Sequence, residues 1–333
     1  MIRSTRRQVV QRGLALAGLS LVSGCGQLSL PWQRSGHVPH IGWLSPVNGP
    51  GSREFEGLRA GLHELGYLDD TTFVLDSRLS GGDNERMPSL AAELVALGVD
   101  VIVTDGLAAA LAARDASHTI PIVMGVITDP VGTGLVASLA HPGGNLTGFD
   151  SLITDINGKR LELLKATLPH LARVAALHDP ASGPSTLTDL QAAGRALDLE
   201  VVVFETRTPD DLESAFAGAV GTRVDGVVVT GGPLQAKLRR RIVELAVEHR
   251  LPGMFGDRDY AVDGGLLAYG PNIPDIFRRS AGYVDKILKG ARPADLPIQQ
   301  PTKLDFVVNL RTAQALGLTI PPSVLQQATE VIQ

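Results

Sequence analysis

The chain has 333 residues, 44% of them hydrophobic and only 4% aromatic. It is long enough for two domains of ordinary size, and its cores must be built mostly from Ala, Val, Leu and Ile, the usual filling of buried parallel sheets. Thirty Lys and Arg against 35 Asp and Glu leave a net charge of −5, which argues against a nucleic-acid-binding surface, since that would need a basic stripe.

Residues 1–24 read as an export signal and not as part of the fold. Arg3, Arg6, Arg7 and Arg12 form a basic region without an acid, and 13–24 is an apolar run about half as long as a membrane-spanning helix requires. Thr5-Arg6-Arg7-Gln8-Val9 is similar to a twin-arginine signal, with Val9 in place of the usual phenylalanine. Val22-Ser23-Gly24-Cys25 resembles a lipobox, in which Cys25 is lipidated and becomes the mature N-terminus. Cys25 is the sole cysteine, so no disulfide can form within the chain. Residues 25–37 read as a tether lifting the globule off a membrane.

From residue 38 the pattern is one of alternating strands and helices. A strand over 40–46 is followed by a helix over 53–66 with Phe55, Leu58, Leu62 and Leu65 on one face. Strand 72–79, helix 87–97, strand 99–104, helix 107–117 and strand 120–126 complete a βαβαβαβ unit, which right-handed crossovers turn into a parallel sheet. Asp129-Pro130 stops the last strand, a short helix is expected before Pro142, and 146–149 reads as one more brief strand.

The pattern then restarts with helix 157–168. Strand 173–180 answers 40–46, Val224 to Thr230 answers Val99 to Thr104, and Leu251-Pro-Gly-Met-Phe255 answers Ile120-Pro-Ile-Val-Met124. Helices 187–197 and 210–220 and strand 200–205 fall between them, and 265–270 reads as the last strand of this half. This internal duplication of architecture predicts two like lobes, 38–150 and 151–272. The remainder, 273–333, opens with a helix over 276–289 and is expected to cross back over the hinge. Residues 127–151 are the passage between the lobes, with a ligand held in the cleft they share.

In open parallel sheets ligands bind beyond the carboxyl ends of the strands, near helix N-termini. Those ends carry Ser45, Thr104, Asp105, Gly106 and Asp129 in the first half, and Asp179, Thr230, Gly231, Asp257 and Tyr269 in the second. Hydroxyls and backbone N–H groups suit a carboxylate and an aspartate suits an ammonium, so the set fits a zwitterion such as an amino acid. The same residue types also cap helices.

Gly132-Thr-Gly-Leu-Val-Ala137 matches the dinucleotide pattern G-x-G-x-x-A, but it follows a late strand and runs into Pro142, the wrong context for a nucleotide site. The eight histidines show no metal-ligand spacing, and no nucleophile elbow is present. The basic run Lys237-Leu-Arg-Arg-Arg241 opens a helix that also carries Glu244 and Glu248, and reads as a solvated face. No cofactor, metal or catalytic group is expected.

Several blocks carry a resemblance to a known family. They are Phe55-Glu-Gly-Leu-Arg-Ala-Gly-Leu-His-Glu-Leu-Gly-Tyr67, Asp129-Pro-Val-Gly-Thr-Gly-Leu-Val-Ala-Ser-Leu139, Pro142-Gly-Gly-Asn-Leu-Thr-Gly148 and Lys159-Arg-Leu-Glu-Leu-Leu164. With them go Ile287-Leu-Lys-Gly-Ala-Arg-Pro-Ala-Asp-Leu-Pro297, Gln300-Pro-Thr-Lys303 and Asn309-Leu-Arg-Thr-Ala-Gln-Ala-Leu-Gly-Leu318. In this order they resemble the substrate-binding proteins of ABC transporters of the tryptophan/tyrosine type, over residues 38–333. The resemblance implies a type I periplasmic binding fold: two Rossmann-like lobes, a three-stranded hinge, and closure around a small solute. It further implies a lipid-anchored periplasmic protein that delivers an amino acid or related compound to an ABC permease in the inner membrane. A sensor presenting ligand occupancy to a membrane receptor is the alternative reading. Asp105-Gly106-Leu107 stands where relatives often carry a small Gly/Thr-rich loop, and Asp179-Pro180 where many carry Asn-Pro. The extra acid favours a cationic or amine-bearing ligand.

Overall fold

The computed structural model describes residues 37–151, 156–182 and 184–333. The export signal, Cys25 and nearly all of the tether therefore lie outside the described residues.

The first sheet is parallel throughout, in the order β2-β1-β3-β4-β5. Its strands are β1 (His40–Ser45), β2 (Val74–Leu79), β3 (Val101–Thr104), β4 (Ile122–Ile127) and β5 (Leu146–Asp150). Helix α1 (Arg53–Glu64) begins where the Ser52 hydroxyl accepts the Phe55 N–H at 3.2 Å, and it buries Phe55, Leu58 and Leu62. Helix α2 (Met87–Leu97) ends at left-handed Gly98, and α3 (Leu107–Ala116) lays its alanines on β3 and β4.

The expected helix before Pro142 does not form; residues 130–141 run through turns. The Asp129 carboxylate accepts the Gly132 N–H at 2.8 Å, and the Ser138 hydroxyl accepts the His141 N–H at 3.0 Å. These local side-chain bonds compete with helical ones, and Gly134 at φ 71° turns the chain between them. Leu135 and Val136 are buried and fix the segment to the sheet.

The second half opens with α4 (Asn157–Thr167). Strands β6 (Arg173–His178), β7 (Glu200–Glu205), β8 (Gly226–Val229), β9 (Gly253–Phe255) and β10 (Leu267–Pro271) follow. Helices α5 (Pro184–Ala196), α6 (Pro209–Gly221), α7 (Pro233–Lys237), α8 (Arg239–Glu248) and α9 (Arg258–Val262) connect them. The sheet does not finish at β10, as the sequence pattern implies. Strand β11 (Leu304–Asn309) adds antiparallel to β10 and β12 (Glu330–Ile332) adds parallel to β11, giving the order β12-β11-β10-β9-β8-β6-β7. The physical reason is the route of the intervening chain. It leaves at Pro271 and returns at Leu304, which is Pro271's own partner in the pairing, so entry at the exit end forces the reversed direction.

Between those two points α10 (Ile273–Leu288) packs on the first sheet, not the second. Phe277 lies 4.9 Å from Trp43 between ring centroids, and Tyr283 packs edge-on against Phe149 at 5.5 Å. Two glycines of α1 permit this approach: a Cβ on Gly61 would sit 2.1 Å from the Arg278 carbonyl oxygen, and one on Gly57 2.5 Å from that of Pro274. Gln299 then pairs alongside β5, accepting the Asp150 N–H and donating to the Gly148 carbonyl, both at 2.9 Å. The chain thus passes between the sheets three times, and Val38–Gln333 forms one compact unit.

Candidate functional site

Parallel strands deliver their carboxyl ends to one edge of each sheet, and here the two edges share a cavity of ≈ 220 Å³. The first sheet contributes Asn48 after β1, Arg53 and Glu54 at the start of α1, and Asp105, Gly106 and Leu107 between β3 and α3. The second contributes Thr230 to Pro233 after β8 and Gly256 to Tyr260 after β9, and the passage at Pro271 to Pro274 closes one side.

Five of the ten ligand-facing positions expected from the sequence are in this wall: Asp105, Gly106, Thr230, Gly231 and Asp257. The other five lie behind it or elsewhere. Ser45 is fully buried and donates its hydroxyl to Asp105 at 2.8 Å. Thr104 is fully buried beneath the loop, and its hydroxyl oxygen has no hydrogen-bond partner. Asp129 holds the turn described above. Asp179 accepts the N–H groups of Ala181 at 2.9 Å and Leu234 at 3.0 Å, and so ties two loops together. Tyr269 packs its ring against Phe306 and offers its carbonyl to Arg160.

Asp105 accepts both the Ser45 hydroxyl and the Asn48 amide, the latter at 2.9 Å. Burial pushes its carboxyl above the usual range, and these two bonds oppose the shift. Gly106, at φ 90°, caps α3 without a side chain, so the helix's first N–H groups gain no side-chain acceptor at the cavity. On the opposite wall Gly232 adopts φ 143°, and a Cβ there would meet Asp179 at 2.4 Å. Asp257 caps α9 by accepting the Asp259 N–H at 2.9 Å. Burial and the neighbouring Asp259 push Asp257 up, while Arg239, that N–H and Arg160 pull it down.

Sequence reasoning missed Asn48, Arg53, Glu54, Arg160, Arg239 and Asp259. Arg160 is the most buried of these, at 1% exposure, and it organises the floor. It donates to the carbonyls of Tyr269 (2.8 Å) and Gly256 (3.2 Å) and to the Asn157 amide oxygen (3.3 Å). Burial among these neutral acceptors lowers it to about 10, partly offset by Asp257. Glu54 is pushed up to about 7, first by burial and then by Asp105, Asp259 and Asp257, against the pull of a backbone N–H. Arg53 in the cavity wall ion-pairs with Asp259 on the opposite side, and away from the wall the Lys237 ammonium donates to the Gly81 carbonyl of the first half at 2.7 Å. The basic run read as a solvated face is therefore divided. Arg241 is paired with Glu213, Glu244 and Glu248 at the surface, whereas Lys237 reaches the first half and Arg239 lines the cavity.

Such a site can enclose and orient a small polar solute. Among the described residues no three His, Cys, Asp or Glu side chains converge as a metal site, and no helix is long and apolar enough to cross a membrane.

Comparison with known proteins points the same way. A tyrosine-binding protein of Clostridioides difficile (strain R20291) is 26% identical over 266 residues, covering 79% of this chain and 76% of the relative. The crystal structure of an ABC domain in complex with L-Trp from Streptococcus pneumonia superposes with a TM-score of 0.82 at 29% identity, over 89% of this chain and all of that one. A conserved domain protein from Vibrio cholerae gives 0.83 at 27% identity, over the same shares. At 13% identity and a TM-score of 0.56, a solute-binding protein of Bacillus halodurans shares the fold, over 85% of this chain and 99% of that one. These likenesses show a type I periplasmic binding fold, and the first three relatives include binders of aromatic amino acids. Residues 40–332 match the profile of the ABC transporter substrate binding proteins, and the chain belongs to that family.

Proposed function

We propose that the protein captures a small amine- and carboxylate-bearing solute, an amino acid or a close relative, in the cavity between two lobes and presents it to an ABC permease for import. The lobes are built on residues 38–150 and 151–272, and 273–333 returns across the hinge to add α10 to the first and β11 and β12 to the second. One observation carries the reading: the carboxyl ends of both sheets open onto a single cavity, with wall residues drawn from each. A solute held there touches both halves, so its binding energy favours the closed arrangement, and the closed form is what a permease can distinguish from the empty one. The N–H groups at the Gly106 start of α3 suit a carboxylate, and Asp105, Asp257 and Glu54 suit an ammonium. Thr230 and Gly231 complete the wall opposite. The export signal and the lipobox at Cys25 support a lipid-anchored, periplasmic location.

A thermal-shift screen of residues 26–333, refolded to remove any bound solute, tests this against amino acids, small peptides, purines and organic acids. At about a hundred times its dissociation constant a ligand adds about 2.7 kcal/mol, a shift of several degrees. The expected hit is an amino acid, with L-tyrosine and L-tryptophan the first to try because two relatives are described with them. A folded, empty protein that no compound stabilises would count against the reading.

A further inference from the structure

The cavity wall carries charges of both signs, and they are not matched in the same way. Every arginine in it has a protein acceptor. Arg53 pairs with Asp259. Arg239 donates to Asp263 at 2.6 Å, and Arg258 forks onto Glu330 at 2.6 and 2.7 Å. Arg160 is held by carbonyls, as described above. The wall's carboxylates are served less evenly. Asp105 has Ser45 and Asn48, Asp257 has the start of α9, and Asp305 accepts the Asn272 amide at 2.9 Å.

Glu54 stands apart. Among the described residues no lysine, arginine or histidine forms an ion pair with it, and no side-chain donor reaches its carboxylate. Its chain neighbour Arg53 is turned to Asp259 across the rim, so the first turn of α1 contributes its cation to the contact between halves and its anion to the cavity. Four arginines surround the space, yet none is available to this carboxylate.

We propose that Glu54 is the anchor for a protonated amine on the solute, which supplies the counter-charge that the cavity wall lacks. The proposal rests on the cleft reading above and adds to it the residue that selects for charge. It also couples binding to protons. In the empty cavity Glu54 faces Asp105 from the end of β3 and Asp257 and Asp259 from the start of α9, and burial with these neighbours holds it at about 7. The positive groups on the same wall, Arg53, Arg160, Arg239 and Arg258, are engaged elsewhere. An arriving ammonium favours the carboxylate, so the amine replaces the proton: R–NH₃⁺ and the neutral acid give the ammonium–carboxylate pair and one proton released to the buffer. Below about pH 7 the affinity for an amine should fall about tenfold per pH unit until the bound form itself protonates.

The test uses ring-matched probes that differ only in the charged end: tyramine and tryptamine against 3-(4-hydroxyphenyl)propionate and indole-3-propionate. Calorimetric titrations at about pH 6 and about pH 8, in buffers of different ionisation enthalpy, read both affinity and proton release. The expected result is binding of the amines and not the acids, release approaching one proton at the lower pH, and loss of at least about tenfold in amine affinity with loss of its pH dependence in Glu54→Gln. Glu54→Gln keeps the side-chain shape and removes a charge that other carboxylates oppose, so its melting temperature, which should equal or exceed that of the parent, guards against misfolding. Acids binding as tightly as amines, or a Glu54→Gln variant with unchanged affinity and pH slope, overturns the proposal and leaves the cleft reading intact. A screen in which no compound of any class binds the folded protein overturns both.

Discussion

The loops after β3 and β8 occupy equivalent places in the two halves, and the difference between them lies in where each half puts its acid. β3 ends at Thr104 and is followed by Asp105 and Gly106, and β8 ends at Val229 and is followed by Thr230 and Gly231; both glycines have positive φ (90° and 87°), and each loop leads into a helix whose own N-cap residue is a glycine. In the first half the carboxylate is on the loop itself. Asp105 stands in the cavity wall, held from behind by Ser45 and Asn48. In the second half the loop has no acid, and Asp179 arrives from the end of β6 to accept the N–H groups of Ala181 and Leu234. The loop after β3 thus places an acid in the cavity wall, and the loop after β8 is braced by one from behind. The sheet architecture dictates only that something polar must occupy these strand ends.

The largest expected effect is on the braced loop. Gly232→Val puts a branched Cβ at φ 143° and against Asp179, and should cost about 3 kcal/mol or more in a urea titration. Asp179→Ala leaves two part-buried N–H groups short of their charged acceptor, and about 2 kcal/mol should be lost. Its effect on ligand affinity should be smaller than that of the change at Asp105. Asp105→Asn keeps a group able to bond Ser45 and removes a charge that burial opposes. Stability should change by less than about 1 kcal/mol while solute affinity falls about tenfold or more by calorimetry. Equal affinity losses in the two variants would erase the distinction between the loops.

A pH series adds a subtler test. Glu54 has a raised pKa in the folded protein, so the folded state binds the proton more tightly than the unfolded one. This stabilisation is complete below the ordinary value of 4.5 and is lost as pH rises through about 7. Opening of the cavity relieves part of the strain, so the melting temperature of the empty protein should drop by the equivalent of roughly 1 kcal/mol across that window, and Glu54→Gln should flatten the drop. The smallest effect belongs to Arg53→Met, which breaks a half-exposed ion pair. Stability should change by less than about 1 kcal/mol, with solution scattering reporting a more open empty protein.

Much of the fold was legible because apolar runs punctuated by Pro and Gly mark buried strands. Strand 200–205 and helix 87–97 fall where the pattern puts them, and the echo of Val99 to Thr104 in Val224 to Thr230 corresponds to β3 and β8. Residues 130–141 misled because a short apolar segment with helical spacing says nothing of the Asp129 and Ser138 bonds that replace helical ones. Strand β12 was missed because three residues at a chain end carry no period. In the site, strand ends pointed to Asp105 and Thr230, but residues with an alternative explanation stayed hidden. Glu54 in a first helical turn reads as a partner for the helix dipole. Arg160, amid leucines on α4, reads as the polar face of an amphipathic helix, and nothing local reveals that two carbonyls from distant loops await it.

The docking of α10 against Gly57 and Gly61 has a consequence for how the chain folds. The first sheet's core includes Phe277, Ala281, Tyr283, Val284 and Ile287, which are made more than a hundred residues after β5. A fragment ending near residue 151 would leave Trp43, Phe55 and Phe149 facing water. At about 1.5–3 kcal/mol for each large side chain left unburied, the deficit for these three is about 5–9 kcal/mol, comparable with the whole stability of a domain. The N-terminal half therefore cannot mature during synthesis ahead of its partner. The two halves should melt in a single calorimetric transition, as one cooperative unit whose structural boundaries do not coincide with any cut in the sequence.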